Sequence, residues 1–133
     1  MRSEVDVFHL AIPSKDLDES LAFYVDGLDC RMARRYEDRI TLDFFGDQIV
    51  CHLAPAQIDE EPELYPRHFG VTFRAKQDFE QVLARAQRRK LVFFKKPFER
   101  FPGMPERHIA FFLCDPSNNL IEFKHYDSPE FMY

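Results

Sequence analysis

Two stretches decide how this sequence folds: FHLAI at Phe8–Ile12 and HFGVTF at His68–Phe73. Each runs histidine, apolar, small, aliphatic, and each precedes a segment whose apolar residues recur at helical spacing. After the first come Leu17, Leu21, Tyr24 and Leu28, with Asp16 as the helix cap, Glu19 three residues on and Gly27 placed to end the turn. After the second come Phe79, Val82, Leu83 and Ala86 within Asp78–Arg89.

Strand-like pieces follow each helix. In the first half they span about Cys30–Tyr36, Ile40–Phe45 and Gln48–Leu53, with a short Phe45–Gln48 link that suits a hairpin. In the second they span about Leu91–Phe94, His108–Leu113 and Leu120–Tyr126. The opening strands are read as about Val7–Ile12, ended by Pro13, and His68–Phe73. Residues 95–107, with three prolines and a glycine, read as a loop or a bulged edge. The polar, proline-bearing stretch Pro55–Pro66 separates the halves. Each half is therefore βαβββ, and the chain is an α+β tandem repeat: module one at about 5–54, module two at about 67–126, together one domain over 1–133.

Composition bounds the function. The 133 residues carry 45% hydrophobic and 15% aromatic side chains, including fifteen Phe, enough for a substantial core. Eighteen basic against 23 acidic residues leave a net charge of -5, which argues against a nucleic-acid partner. Three cysteines without CxxC spacing read as reduced, mostly buried thiols. The charged start MRSEVDVFHLAIP does not resemble a signal peptide, and no apolar run reaches membrane-spanning length. A cytoplasmic protein without a membrane partner is the expectation.

Chemistry enters through polar residues set in apolar strands. The closing strand of each half holds one: His52 in IVCHL and Glu122 in LIEF. A buried carboxylate needs a positive partner, and Arg67, Lys124 or a metal would serve. If the first and last strands of each half lie side by side, His9 neighbours His52 and His68 neighbours Glu122. Two halves face to face would then gather three imidazoles and a carboxylate, a set suited to a divalent first-row metal.

The tandem βαβββ pattern, with FHLAI, RHFGVTF and DPSNNLIEF, resembles the vicinal oxygen chelate superfamily, which includes glyoxalase I, extradiol ring-cleaving dioxygenases, fosfomycin-resistance proteins and bleomycin-sequestering proteins. That resemblance implies an open, curved mixed sheet with a metal on its concave face. It assigns His9, His68 and Glu122 as ligands and His52 as a fourth-ligand position. It also implies a small-molecule substrate and a homodimer, with the site within one chain or shared.

Two histidines and one carboxylate form the triad that leaves Fe(II) three open positions, room for a chelating diol and O₂. An extradiol dioxygenase-like oxidoreductase is therefore the leading reading, with Fe2+ favoured over Mn2+, Ni2+, Zn2+ or Co2+. His52 would then stand back as a base, because coordinating it would remove the oxygen site. His108 on the penultimate strand and Tyr126, in strand phase with Glu122, are further candidates for proton transfer. His125 has the opposite phase. Phe44, Phe45, Phe111 and Phe112 are candidates for an aromatic pocket, and residues 95–107 and the tail SPEFMY for lids. The runner-up is a glyoxalase-like lyase or isomerase, which the single glutamate weakens; a non-catalytic binding protein is the third reading.

Overall fold

Burial alternates along β1 (His9–Ser14): Ile12 and Ser14 are buried, whereas His9 and Ala11 are exposed. This is the period-two pattern of a strand with one face on a core. The computed structural model describes every residue from Met1 to Tyr133. Helix α1 (Leu17–Leu21) starts where expected, because Asp16 Oδ1 accepts from the backbone N–H groups of Asp18 and Glu19 at 2.8 and 3.0 Å. The chain then widens into a π-helical turn, Ala22–Gly27, which buries Phe23 and Tyr24.

Three more strands complete the first sheet: β2 (Arg31–Arg35), β3 (Arg39–Phe44) and β4 (Asp47–Leu53), in the order β1-β4-β3-β2. The β1/β4 pair is parallel and the others antiparallel. Phe44 pairs with Asp47, so β3 and β4 are joined by a two-residue loop, Phe45-Gly46, with φ of 53° and 95°. Two positive φ angles give a turn whose twist matches the strands it joins. Pro13, expected to end the first strand, lies inside it. A missing N–H is tolerated there because β1 is an edge strand.

The second half repeats the pattern with β5 (Phe69–Phe73), helix α2 (Lys76–Arg88), β6 (Phe93–Arg100), β7 (His108–Cys114) and β8 (Leu120–Tyr126). Its order is β5-β8-β7-β6, again with the first and last strands parallel. Of the stretch expected as a loop or a bulged edge, residues 95–100 take the second form. Edge strand β6 passes through Pro97 by shifting register between Phe93 and Lys95 and between Lys95 and Phe98. The core here is aromatic: Phe111 packs its ring against Phe79 at 5.4 Å and Phe123 at 5.3 Å.

The chain therefore forms two four-stranded mixed sheets, one per repeat. Two compact units divide it at Glu60/Glu61, except that Pro116–Asn119 belongs to the first. That turn is tied there by Ser117 Oγ accepting from Lys15 N, and by Asn119 and Asn118 amides donating to the carbonyls of Pro13 and Asp59, each at 2.9 Å.

One glycine fixes the spacing of the β5/β8 pair. A Cβ on Gly70 would stand 1.7 Å from the carbonyl oxygen of Glu122, where no atom fits. Gly70→Ala is expected to lose at least about 2 kcal/mol of stability, the scale of an overpacked core. Urea denaturation with an unchanged midpoint would show that β8 gives way freely.

Candidate metal centre

The β5/β8 register sets Gly70 beside Glu122, so His68, two residues earlier, stands just outside the ladder with its ring beside the carboxylate. His68 Nε2 lies 3.4 Å from Glu122 Oε2, with the two side chains 22% and 12% exposed. The other ring nitrogen is committed: Nδ1 is 2.6 Å from the carbonyl oxygen of Leu64. A carbonyl only accepts, so Nδ1 carries the hydrogen, and whenever the ring is neutral its lone pair lies at Nε2. A backbone carbonyl on Nδ1 is also how metal-binding histidines are held in orientation. The Phe112 ring, edge-on at 5.3 Å, packs against the imidazole.

With the ring neutral, Nε2 and Oε2 are two acceptors facing each other across 3.4 Å, and a positive charge between or beside them would satisfy both. Lys124 supplies one, with Nζ 3.2 Å from the same Glu122 Oε2. Of the two basic residues expected to meet this carboxylate, Lys124 does so.

In the first unit His9 repeats the arrangement of His68. Its Nδ1 sits 2.6 Å from Gln48 Oε1, again an acceptor, leaving Nε2 free on an exposed strand start. Gln48 is also the Cα partner of His9, whereas His52 partners Pro13. The expected adjacency of His9 and His52 therefore fails. Parallel pairing sets His52 four residues further along, about 13 Å at the usual strand rise. It is exposed, with Arg39 as its partner on β3.

His108 and Tyr126 pair across β7/β8 on the same face as Glu122, with ring centroids 4.4 Å apart. His108 is buried, and its Nδ1 lies 3.0 Å from the carbonyl oxygen of Glu106, so here too Nε2 is the free nitrogen. Beside it, Arg107 donates to Glu99 and Asp127; the hydrogen bond from Arg107 holds the Glu99 carboxyl below the usual carboxylate range. His125 lies on the opposite, core-side face, bonded through Nδ1 to the carbonyl of Phe73 at 3.0 Å. Of the four phenylalanines suggested for a pocket, only Phe112 joins the candidate group. Phe44 packs with Tyr24, Phe111 with Phe79, and Phe45 occupies the hairpin turn.

The donor chemistry of His68 and Glu122 fits a divalent transition ion. No group of three or more His, Cys, Asp or Glu side chains is arranged to hold one. Cys114 is a poor candidate, since burial and then the charge of Asp115 raise its thiol and disfavour the thiolate that binds metals.

Gln48 and the Leu64 carbonyl, which hold His9 and His68, were not anticipated. Gln48 has the same strand phase as His52 and was legible only once the register was known. The Leu64 carbonyl is backbone and leaves no mark on the sequence.

The Glyoxalase family (Glyoxalase/Bleomycin resistance protein/Dioxygenase superfamily) matches residues 6–123. A crystal structure of a glyoxalase/bleomycin resistance protein/dioxygenase from Alicyclobacillus acidocaldarius is 56% identical over 100% of both chains, with a TM-score of 0.96. The fosfomycin resistance protein FosX from Listeria monocytogenes is 18% identical over 99% of this chain and 100% of its own, with a TM-score of 0.71. A lactoylglutathione lyase from Agrobacterium tumefaciens is 15% identical over 90% of this chain and 92% of its own, with a TM-score of 0.63. These last two share the fold. No curated protein matches the sequence. No helix is long and apolar enough to cross a membrane.

The hydrogen-bond pattern predicts the tautomers. In ¹⁵N-resolved NMR at a pH where the rings are neutral, His9, His68 and His108 should each carry hydrogen on Nδ1. A hydrogen on Nε2 of neutral His68 would contradict the orientation described.

Proposed function

The chain belongs to the Glyoxalase/Bleomycin resistance protein/Dioxygenase superfamily, and from that premise we propose that it is a metal-dependent enzyme acting on a small molecule with adjacent oxygens. The observation that carries this reading is the His68–Glu122 pair, with Nδ1 of the imidazole tied to Leu64 and Nε2 turned to the carboxylate. His9, tied by Gln48 in the same way, is the proposed third ligand, from this chain or from a second copy in a homodimer. His52 is left out of the ligand set because its strand position is remote from that of His9.

Two histidines and one carboxylate favour extradiol-type cleavage of a catechol over glyoxalase-type isomerisation. When bound, a divalent ion, Fe2+ by preference, would hold both substrate oxygens and leave a position for O₂. The chain's own residues would do the rest. Leu64 and Gln48 fix the imidazoles, Phe112 shields one side of His68, and His108 Nε2 accepts a proton from a substrate hydroxyl. Tyr126, packed at a tilt against His108, keeps that imidazole in place.

Protein purified from rich medium should contain a stoichiometric transition metal by elemental analysis. His68→Ala or Glu122→Ala should each weaken metal binding by more than about 100-fold, exceeding the usual cost of losing an outer-shell partner. Iron-loaded protein should consume oxygen with a catechol. Metal retention in both variants would overturn the ligand assignment; no oxygen uptake across a catechol panel, with metal bound, would overturn the dioxygenase reading. Turnover of a methylglyoxal–glutathione adduct would replace it with the isomerase.

A further inference from the structure

Strand register places charge on the Glu122 face of the second sheet in three rows. Arg100, His108 and Tyr126 form one row; Phe98, Ala110 and Lys124 the next; Lys95, Phe112 and Glu122 the third. Three cations therefore share this face with one acid, an excess of two positive charges on a chain whose net charge is -5. Two of the three cations are already engaged: Lys95 Nζ lies 3.8 Å from the Phe98 ring centroid, and Arg100 donates to the Tyr65 hydroxyl at 3.0 Å.

Lys124 differs. Its side chain is only 28% exposed, and its charge is met by Glu122 Oε2 at 3.2 Å, with the Tyr126 ring centroid 5.9 Å away. That same oxygen faces His68. If Glu122 and His68 turn their lone pairs to a divalent ion, as proposed above, the ammonium competes for an oxygen already committed. The face then holds two further positive charges and no second carboxylate to answer them. A half-buried ammonium without a counter-charge is costly.

We propose that Lys124 is a specificity-determining residue that binds the anionic group of the substrate, and that the substrate is a compact, ring-sized organic carboxylate. Its negative charge replaces Glu122 as the partner of Lys124, while Phe98, Phe112 and Tyr126 offer ring faces and edges to its flat body. This inference rests on the metal-site reading for the source of competition at Glu122, but the charge arrangement itself can be tested without metal.

The test uses the zinc-loaded chain, which is redox-inert, with binding measured by calorimetry. Wild type should bind 3,4-dihydroxybenzoate at least about tenfold more tightly than 3,4-dihydroxybenzamide, the scale of one charge-assisted hydrogen bond. Lys124→Met should abolish that preference and Lys124→Arg retain it, with all three proteins folded by circular dichroism. If zinc and the diols bind but the preference is absent, or survives in Lys124→Met, the inference is overturned while the metal reading stands. If zinc does not bind, the metal reading fails, and the metal-free Glu122→Gln chain, whose Lys124 has lost its carboxylate, decides the inference. Benzoate should then bind more tightly than benzamide, and only when Lys124 is present; equal binding overturns the inference.

Discussion

The close approach of β5 and β8 at Gly70 is the constraint on which the candidate site depends. The carbonyl of Glu122 occupies the space where any larger residue at position 70 would begin its side chain. Parallel pairing at this distance carries the chain before β5 past the middle of β8, so that an imidazole just outside the ladder meets a carboxylate just inside it. A shift of one residue would turn Glu122 into the aromatic core and bring Phe123 to the open face. The aromatic packing of Phe79, Phe111 and Phe123 resists that shift.

Four histidines are held in one way, with Nδ1 bonded to an oxygen that only accepts; His9, His68 and His108 are candidates for the site, whereas His125 lies on the core-side face. The oxygens differ, being a glutamine amide and the carbonyls of Leu64, Glu106 and Phe73, so the shared tautomer does not come from one repeated local motif. A neutral imidazole with its lone pair exposed suits metal binding or proton acceptance, and each histidine is pre-oriented before any ligand arrives. Preorganisation of this kind spares the cost of ordering side chains on binding. Lys124 completes the electrostatics by meeting the one acid on the face, so that the carboxylate is not left uncompensated.

Much of the fold was legible because its signals are local. Asp16 caps α1 through its own side chain, Phe45-Gly46 makes a two-residue hairpin, and β8 falls at Leu120–Tyr126, as the alternation of its residues indicates. The repeat of FHLAI in HFGVTF marked the tandem, and the side-by-side placement of first and last strands, only supposed from the sequence, holds in both sheets. The parts that were not legible depend on register and on backbone atoms. Nothing in IVCHL says which of Gln48 or His52 will stand opposite His9, since both have the same phase. The start of β6 was expected near Leu91–Phe94, but Pro97 left its run to Arg100 undecided between a loop and a bulged edge, and an edge strand accommodates that proline by bulging. Lys124 was visible as a charge near Glu122, but its reach back to Oε2 is a matter of side-chain geometry.

We propose Glu122 and His68 as two ligands of one ion to which Lys124 yields its place. Anomalous diffraction from crystals soaked in a zinc salt tests this most directly. A peak within coordination distance of His68 Nε2 and Glu122 Oε2, with the Lys124 ammonium withdrawn from that oxygen, is the predicted result. Zinc ordered elsewhere on the chain, with Lys124 still bonded to Glu122, would contradict it.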